Sequence, residues 1–168
     1  PAILSTVILC NSRRDMRCFS GGFRGVQTSK YILGGIMIEK VDHIAIAVKD
    51  IDESLKFFCD GLGLSCKKIE EVEGQKVKVA FIPAGDTNIE LVQATDPESA
   101  VAKFIEKKGE GIQHVALRVK DIEKAIQFLK DKGVELIDAI PRKGAHGSKI
   151  VFLHPKSSHG ALIELVER

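Results

Sequence analysis

Two stretches of this sequence, 71 residues apart, spell one pattern twice. VDHIAIAVKDIDESLKFF begins at Val41 and IQHVALRVKDIEKAIQFL begins at Ile112. His43/His114, Ala45/Ala116, Val48/Val119, Lys49/Lys120, Asp50/Asp121, Ile51/Ile122 and Phe57/Phe128 are identical pairs, and four other positions exchange one aliphatic residue for another. The halves also close alike, with NIELV at 88–92 and ALIELV at 161–166. Self-similarity of this kind marks one supersecondary unit used twice, each copy burying its apolar face with help from the other.

Each unit reads as a strand, a helix and three further strands. Residues 41–48 alternate in strand fashion. Asp50 then stands as the cap of a helix whose Ile51, Leu55, Phe58 and Leu62 form one apolar stripe, with Glu53 three residues on. Gly61 and Gly63 stop it, and strands follow near 67–72, 76–82 and 88–93. In the second unit the strand 112–119 leads into a helix from Ile122 to Lys132, ended by Gly133, with strands near 134–138, 149–153 and 161–166. Asp96-Pro97 opens a linker helix across 96–109, with Val101, Phe104 and Ile105 inward. Phe57, Phe58, Phe104 and Phe128 read as core. The expected fold is α+β: two tandem βαβββ modules, 37–95 and 110–168, forming one sheet cleft.

Residues 1–36 stand outside this pattern. They carry Arg13, Arg14, Arg17, Arg24 and Lys30 against Asp15 alone, with no sustained period. We expect an unstructured leader: either a transit peptide or, the reading we favour, translated sequence ahead of a start at Met37. The body is then cytoplasmic, or of the mitochondrial matrix if the leader is a transit peptide. At 44% hydrophobic and 29% charged residues, the chain has enough apolar material for a core, which excludes general disorder. A net charge of +2 is too balanced for a dedicated nucleic-acid binder. No apolar run reaches the roughly 20 residues of a spanning helix, so no membrane partner is expected. Cys59 and Cys66 form no zinc or disulfide spacing, which suits a reducing compartment.

The strand faces carry the chemistry. Alternation puts Ile44, Ile46 and Val48 on one face of the first strand, and Val41, His43, Ala45 and Ala47 on the other. The matching strand sets Val115, Leu117 and Val119 against His114, Ala116 and Arg118. In the closing strands Glu90 opposes Ile89 and Leu91, and Glu164 opposes Ile163 and Leu165. Two imidazoles and two carboxylates thus take equivalent places beside small Ala neighbours. Buried together they need a counter-charge. A divalent metal supplies it, and His with carboxylate suits Mn, Co, Fe, Ni or Zn.

These residues resemble the vicinal-oxygen-chelate, or glyoxalase-fold, superfamily. The run KGAHGSKIVFLHPKSSHGALIEL from Lys143, together with VDHIAIAVKD and the stretch before His114, is similar to the methylmalonyl-CoA epimerases within it. The resemblance spans 37–168. It implies His43, Glu90, His114 and Glu164 as ligands of one divalent ion, cobalt first, with manganese, nickel or zinc as alternatives. It also implies an acyl-CoA substrate, proton transfer at C2 of methylmalonyl-CoA within propionate metabolism, and a homodimer. Glu164 is expected as one acid/base. For the second, alignment on Ile82-Pro83 puts Lys78 where some members place a Glu on the third strand; Glu90 or a water are alternatives. His146, Lys143, Lys149 and Lys156 are candidate substrate contacts, the lysines for CoA phosphates. The competing readings are a lactoylglutathione lyase and, in another class, a non-catalytic small-molecule-binding module on the same fold.

Overall fold

A computed structural model describes residues 38–168; the expected leader, 1–36, lies outside the described residues. Eight strands form one mixed sheet, ordered β2-β3-β4-β1-β5-β8-β7-β6. In chain order they are β1 Ile38–Ala47, β2 Lys68–Val72, β3 Val77–Ala84, β4 Thr87–Ala94, β5 Gly111–Val119, β6 Arg142–Lys143, β7 Lys149–Leu153 and β8 Ile163–Glu167. β1 and β5, the first strands of the two repeats, are antiparallel neighbours at the centre. Each is flanked by the closing strand of its own repeat, β4 or β8, in parallel. The sheet curls into a half-barrel with one concave face.

Each first helix lies on the convex side. α1, Ile51–Leu55, is capped by Asp50, whose carboxylate accepts from the Glu53 amide at 2.9 Å. α3, Ile122–Asp131, is capped in the same way by Asp121 on the Lys124 amide. An N-terminal cap of this kind contributes about 1 kcal/mol. Ile122, Ala125 and Ile126, spaced three and four residues apart, pack on Val151 and Leu165. Ile51 packs on Val48, Ala80, Ile82 and Leu91.

Four details depart from the sequence reading. α1 does not continue with a 3.6-residue period: Lys56–Gly61 form a wider π-helical turn. The added residue per turn rotates later side chains away from the stripe. Phe57 and Leu62 are therefore 61% and 55% exposed, and Leu64 packs with the core instead. The linker helix α2, Ala100–Lys108, starts later than expected, with the Ser99 hydroxyl as its cap. Segment 134–138 is not a strand; it touches β7 through one bridge, Leu136 to Leu153, and the sheet edge is the two-residue β6. Phe128 is only half-buried and lies outside the core clusters, under the Lys132 ammonium.

The loop of the KGAHG run reaches from one module to the other. Ala145 packs on the core of the first module, and the His146 ring lies 4.4 Å from that of Phe81. Gly144 permits the fold-back. A Cβ there would fall 2.5 Å from Ser148 Oγ and 2.7 Å from Ile150 Cγ2, and Ser148 is buried with its hydroxyl on the Ala145 carbonyl. Gly144→Ala should therefore cost about 1–3 kcal/mol. The measurement is a melting curve; an unchanged midpoint would show that the loop yields freely.

Candidate metal centre and cleft

The strand register assembles the site from both repeats. On the concave face His43 lies opposite Ala116, which pairs with Glu164. Ala45 stands between His114 and Glu90 in the same way. Each histidine is thus two strands from a glutamate, with a fully buried alanine between them making room. Across the sheet the order runs Glu90 on β4, the two histidines on β1 and β5, then Glu164 on β8. The carboxylates flank the imidazoles on opposite sides.

All four side chains are buried and close. His43 Nε2 and His114 Nε2 are 3.1 Å apart. Glu164 Oε2 is 3.4 Å from His114 Nε2, and its Oε1 is 3.9 Å from His43 Nε2. Glu90 Oε1 is 3.5 Å from His43 Nδ1 yet has no hydrogen-bond partner. His43, His114 and Glu164 each offer one atom within 4.8 Å of the others, as metal ligands would, and Asp42, His43 and Glu90 form a second such group that shares His43.

The hydrogen bonds decide what these nitrogens present to one another. His43 Nδ1 is 3.0 Å from Asp42 Oδ1, and His114 Nδ1 is bonded to the Gln113 side-chain oxygen. Both acceptors fix the proton on Nδ1. His114 is neutral, so its Nε2 turns a bare lone pair toward His43 Nε2, beside two carboxylates. Such a cluster of acceptors with an unpartnered carboxylate oxygen fits a bound cation, and the donor set suits a first-row divalent metal.

Asp42 is the site residue that alternation concealed. A bulge in the β1–β5 pairing at Val41–His43 turns Asp42 inward next to His43. Arg118 Nε donates to its Oδ2 at 2.7 Å and Arg168 Nη2 to its Oδ1 at 3.1 Å. Burial opposes its charge, but the bonds from His43 and Arg118 and the Arg168 charge hold its carboxyl well below the usual range. The available signal was the pair of polar residues, Asp42 and Gln113, immediately before the repeated histidines.

Burial sets the titration of Glu164, Glu90 and His114. It pushes Glu164 up to about 7, as repulsion from Glu90 and Asp42 also does. It raises Glu90 as well. Burial, then the nearby His43, lowers His114 to about 3, so that ring is neutral. Burial also opposes the charge on His43, but Asp42, Glu90 and Glu164 together outweigh it and raise its pKa.

The cluster lies in the wall of a cleft of about 440 Å³. The candidate Lys78 does not reach it. Strand alternation gives the cleft to Val77 and Val79, and places Lys78 on the α1 side with Ala80 and Ile82. The candidate lysines are also elsewhere. Lys149 shares the α3 side of β7 and pairs with Glu123 and Glu167. Lys143 is exposed on β6, and Lys156 sits in an exposed turn beyond β7. His146 pairs with Glu70 at 3.2 Å, bridging the two modules. The cationic side chains that do line the cleft are Lys76, Arg142 and Arg168.

Residues 42–152 match the model of the Glyoxalase/Bleomycin resistance protein/Dioxygenase superfamily, and the chain belongs to that superfamily. Within it, the chain is similar to the mitochondrial methylmalonyl-CoA epimerase of Dictyostelium discoideum, at 37% identity over 139 residues, 82% of this chain and 83% of that protein. The ethylmalonyl-CoA/methylmalonyl-CoA epimerase of Cereibacter sphaeroides is 36% identical over 131 residues, 77% of this chain and 98% of that one. The crystal structure of methylmalonyl-CoA epimerase from Mycobacterium tuberculosis superposes with a TM-score of 0.76 at 36% identity, covering 82% of this chain and 93% of that chain. Among the described residues no helix is long and apolar enough to cross a membrane.

Proposed function

We propose that this chain is a methylmalonyl-CoA epimerase, interconverting the (2R) and (2S) forms by removing and returning the C2 proton. One observation carries the reading: two imidazoles and two carboxylates, drawn equally from both modules, converge at the wall of a cleft in a chain whose relatives bear that name. His43, Glu90, His114 and Glu164 would hold one divalent ion, for which cobalt is our first choice. When bound, the ion supplies positive charge against the negative charge that develops on the substrate oxygens.

The C2 hydrogen lies between a thioester and a carboxylate, so its loss leaves a planar enolate. Inversion then needs one proton acceptor and one donor on opposite faces. Glu164 takes one role. With Lys78 turned to the α1 side, Glu90 takes the other: it is buried, its Oε1 is unpartnered, and it flanks the histidines opposite Glu164. Burial raises both carboxyls, and takes Glu164 to about 7, where a group can both accept and return a proton. Arg142 and Lys76 offer the cleft cationic contacts for an anionic substrate.

The test is deuterium incorporation at C2 of methylmalonyl-CoA in heavy water, followed by NMR with cobalt-loaded protein. We expect exchange together with conversion of one epimer to the other, retained in Lys78→Ala. No exchange by the loaded wild type overturns the proposal, and turnover of a glutathione hemithioacetal in its place would favour the lyase reading.

A further inference from the structure

We propose that Asp42 and Gln113 are paired positioning residues, each orienting the histidine that follows it in sequence, and that their different charge makes His43 the stronger donor of the two. The inference rests on the metal reading above and concerns how the protein prepares for the ion. The repeat supplies the first observation. In each module the residue just before the histidine bonds its Nδ1: Asp42 Oδ1 to His43 at 3.0 Å, Gln113 Oε1 to His114. Each such bond fixes the Nδ1–H tautomer and the ring's orientation, leaving Nε2 free to ligate.

The second observation is that the two devices differ. Gln113 is a neutral acceptor at the cleft wall. Asp42 is a charged acceptor, fully buried and clamped from its far side by Arg118 and Arg168. A carboxylate draws more positive character onto the Nδ1–H than an amide does, and so leaves more electron density on the opposite nitrogen. The clamp engages both Asp42 oxygens from the side away from the ring. Arg168 Nη2 further lies 3.8 Å from Glu90 Oε1, tying the same clamp to the neighbouring carboxylate. The two halves thus retain their ligand symmetry and lose it one atom further out.

The experiment measures cobalt(II) affinity by competition with a chelating dye for wild type, Asp42→Asn, Gln113→Ala and Gln113→Glu. Asp42→Asn keeps an acceptor and removes only the charge. We expect it to weaken binding by roughly 10- to 100-fold, the range for removing a ligand's outer partner, and more than Gln113→Ala does. Gln113→Glu should tighten it, a gain that a merely structural role would not produce. In the metal-free wild type, at a pH high enough for His43 to be neutral, long-range proton–nitrogen NMR should show both rings as Nδ1–H tautomers. If Asp42→Asn does not fold, the two Gln113 variants and the tautomer spectrum still decide. Unchanged affinity in every variant, or an Nε2–H tautomer at His43, overturns the proposal. A wild type that takes up no cobalt overturns the metal reading instead, and leaves the tautomers to judge this one.

Discussion

Glu164→Gln is expected to lose C2 deuterium exchange by roughly 10²–10⁴-fold, the range for removing a positioned acid/base group. Gln preserves the size and the burial but can neither accept nor return a proton at C2. The same substitution has a second, opposite effect on the metal-free protein. Glu164 is raised from 4.5 to about 7 by burial, so its ionised form is disfavoured by folding. Its contribution is neutral to folding while both states are protonated, below about 4.5; the folded state then falls in relative stability as pH rises to about 7. Above that the full penalty, on the order of 3 kcal/mol, is present. Glu164→Gln removes it, so the metal-free variant should melt several degrees higher than wild type at pH 8 and much the same at pH 4. An active variant would remove Glu164 from the chemistry. A variant less stable at pH 8 would mean that its hydrogen bonding outweighs its buried charge.

Stripping the protein with a chelator should abolish exchange and lower the melting temperature, and added cobalt should restore both. Saturation at 100 times the dissociation constant stabilises by about 3 kcal/mol. The effect should depend on pH in a direction the site sets. His114, lowered to about 3, presents a free lone pair throughout the neutral range. Glu164 and His43, both raised, must give up protons before they can ligate. Affinity should therefore fall as pH drops below 7, with proton release on binding visible by calorimetry in buffers of different ionisation heat. Pocket and fold without metal-dependent stability would favour the binding-module reading.

Much of the site was legible because its signals are local or repeated. A period of two assigned His43, His114, Glu90 and Glu164 to one face of their strands, and the duplication made four separate residues a set. The cap Asp50 was equally visible, since a cap bonds an amide three residues away in its own chain, and the structure repeats it at Asp121. The placement of Lys78 has a related reason: its family position rests on an alignment, while the alternation of β3 turns Lys78 to the α1 side and gives the cleft to Val77 and Val79. Lys149 reads in the sequence as a candidate contact for CoA phosphates because its partners Glu123 and Glu167 are distant along the chain.

The sequence by itself determined the paired βαβββ architecture and the identity of the four converging side chains, because hydrophobic period and internal repetition are written in consecutive residues. The tertiary structure alone decided how those residues act on one another. The bulge that buries Asp42, the arginines that clamp it and the π-helical turn that exposes Phe57 all depend on pairing register and packing. So does the loop that carries His146 across to Glu70. In each case the deciding partner lies in another element, or the backbone departs from its regular period, and neither is encoded in the alternation of a single segment.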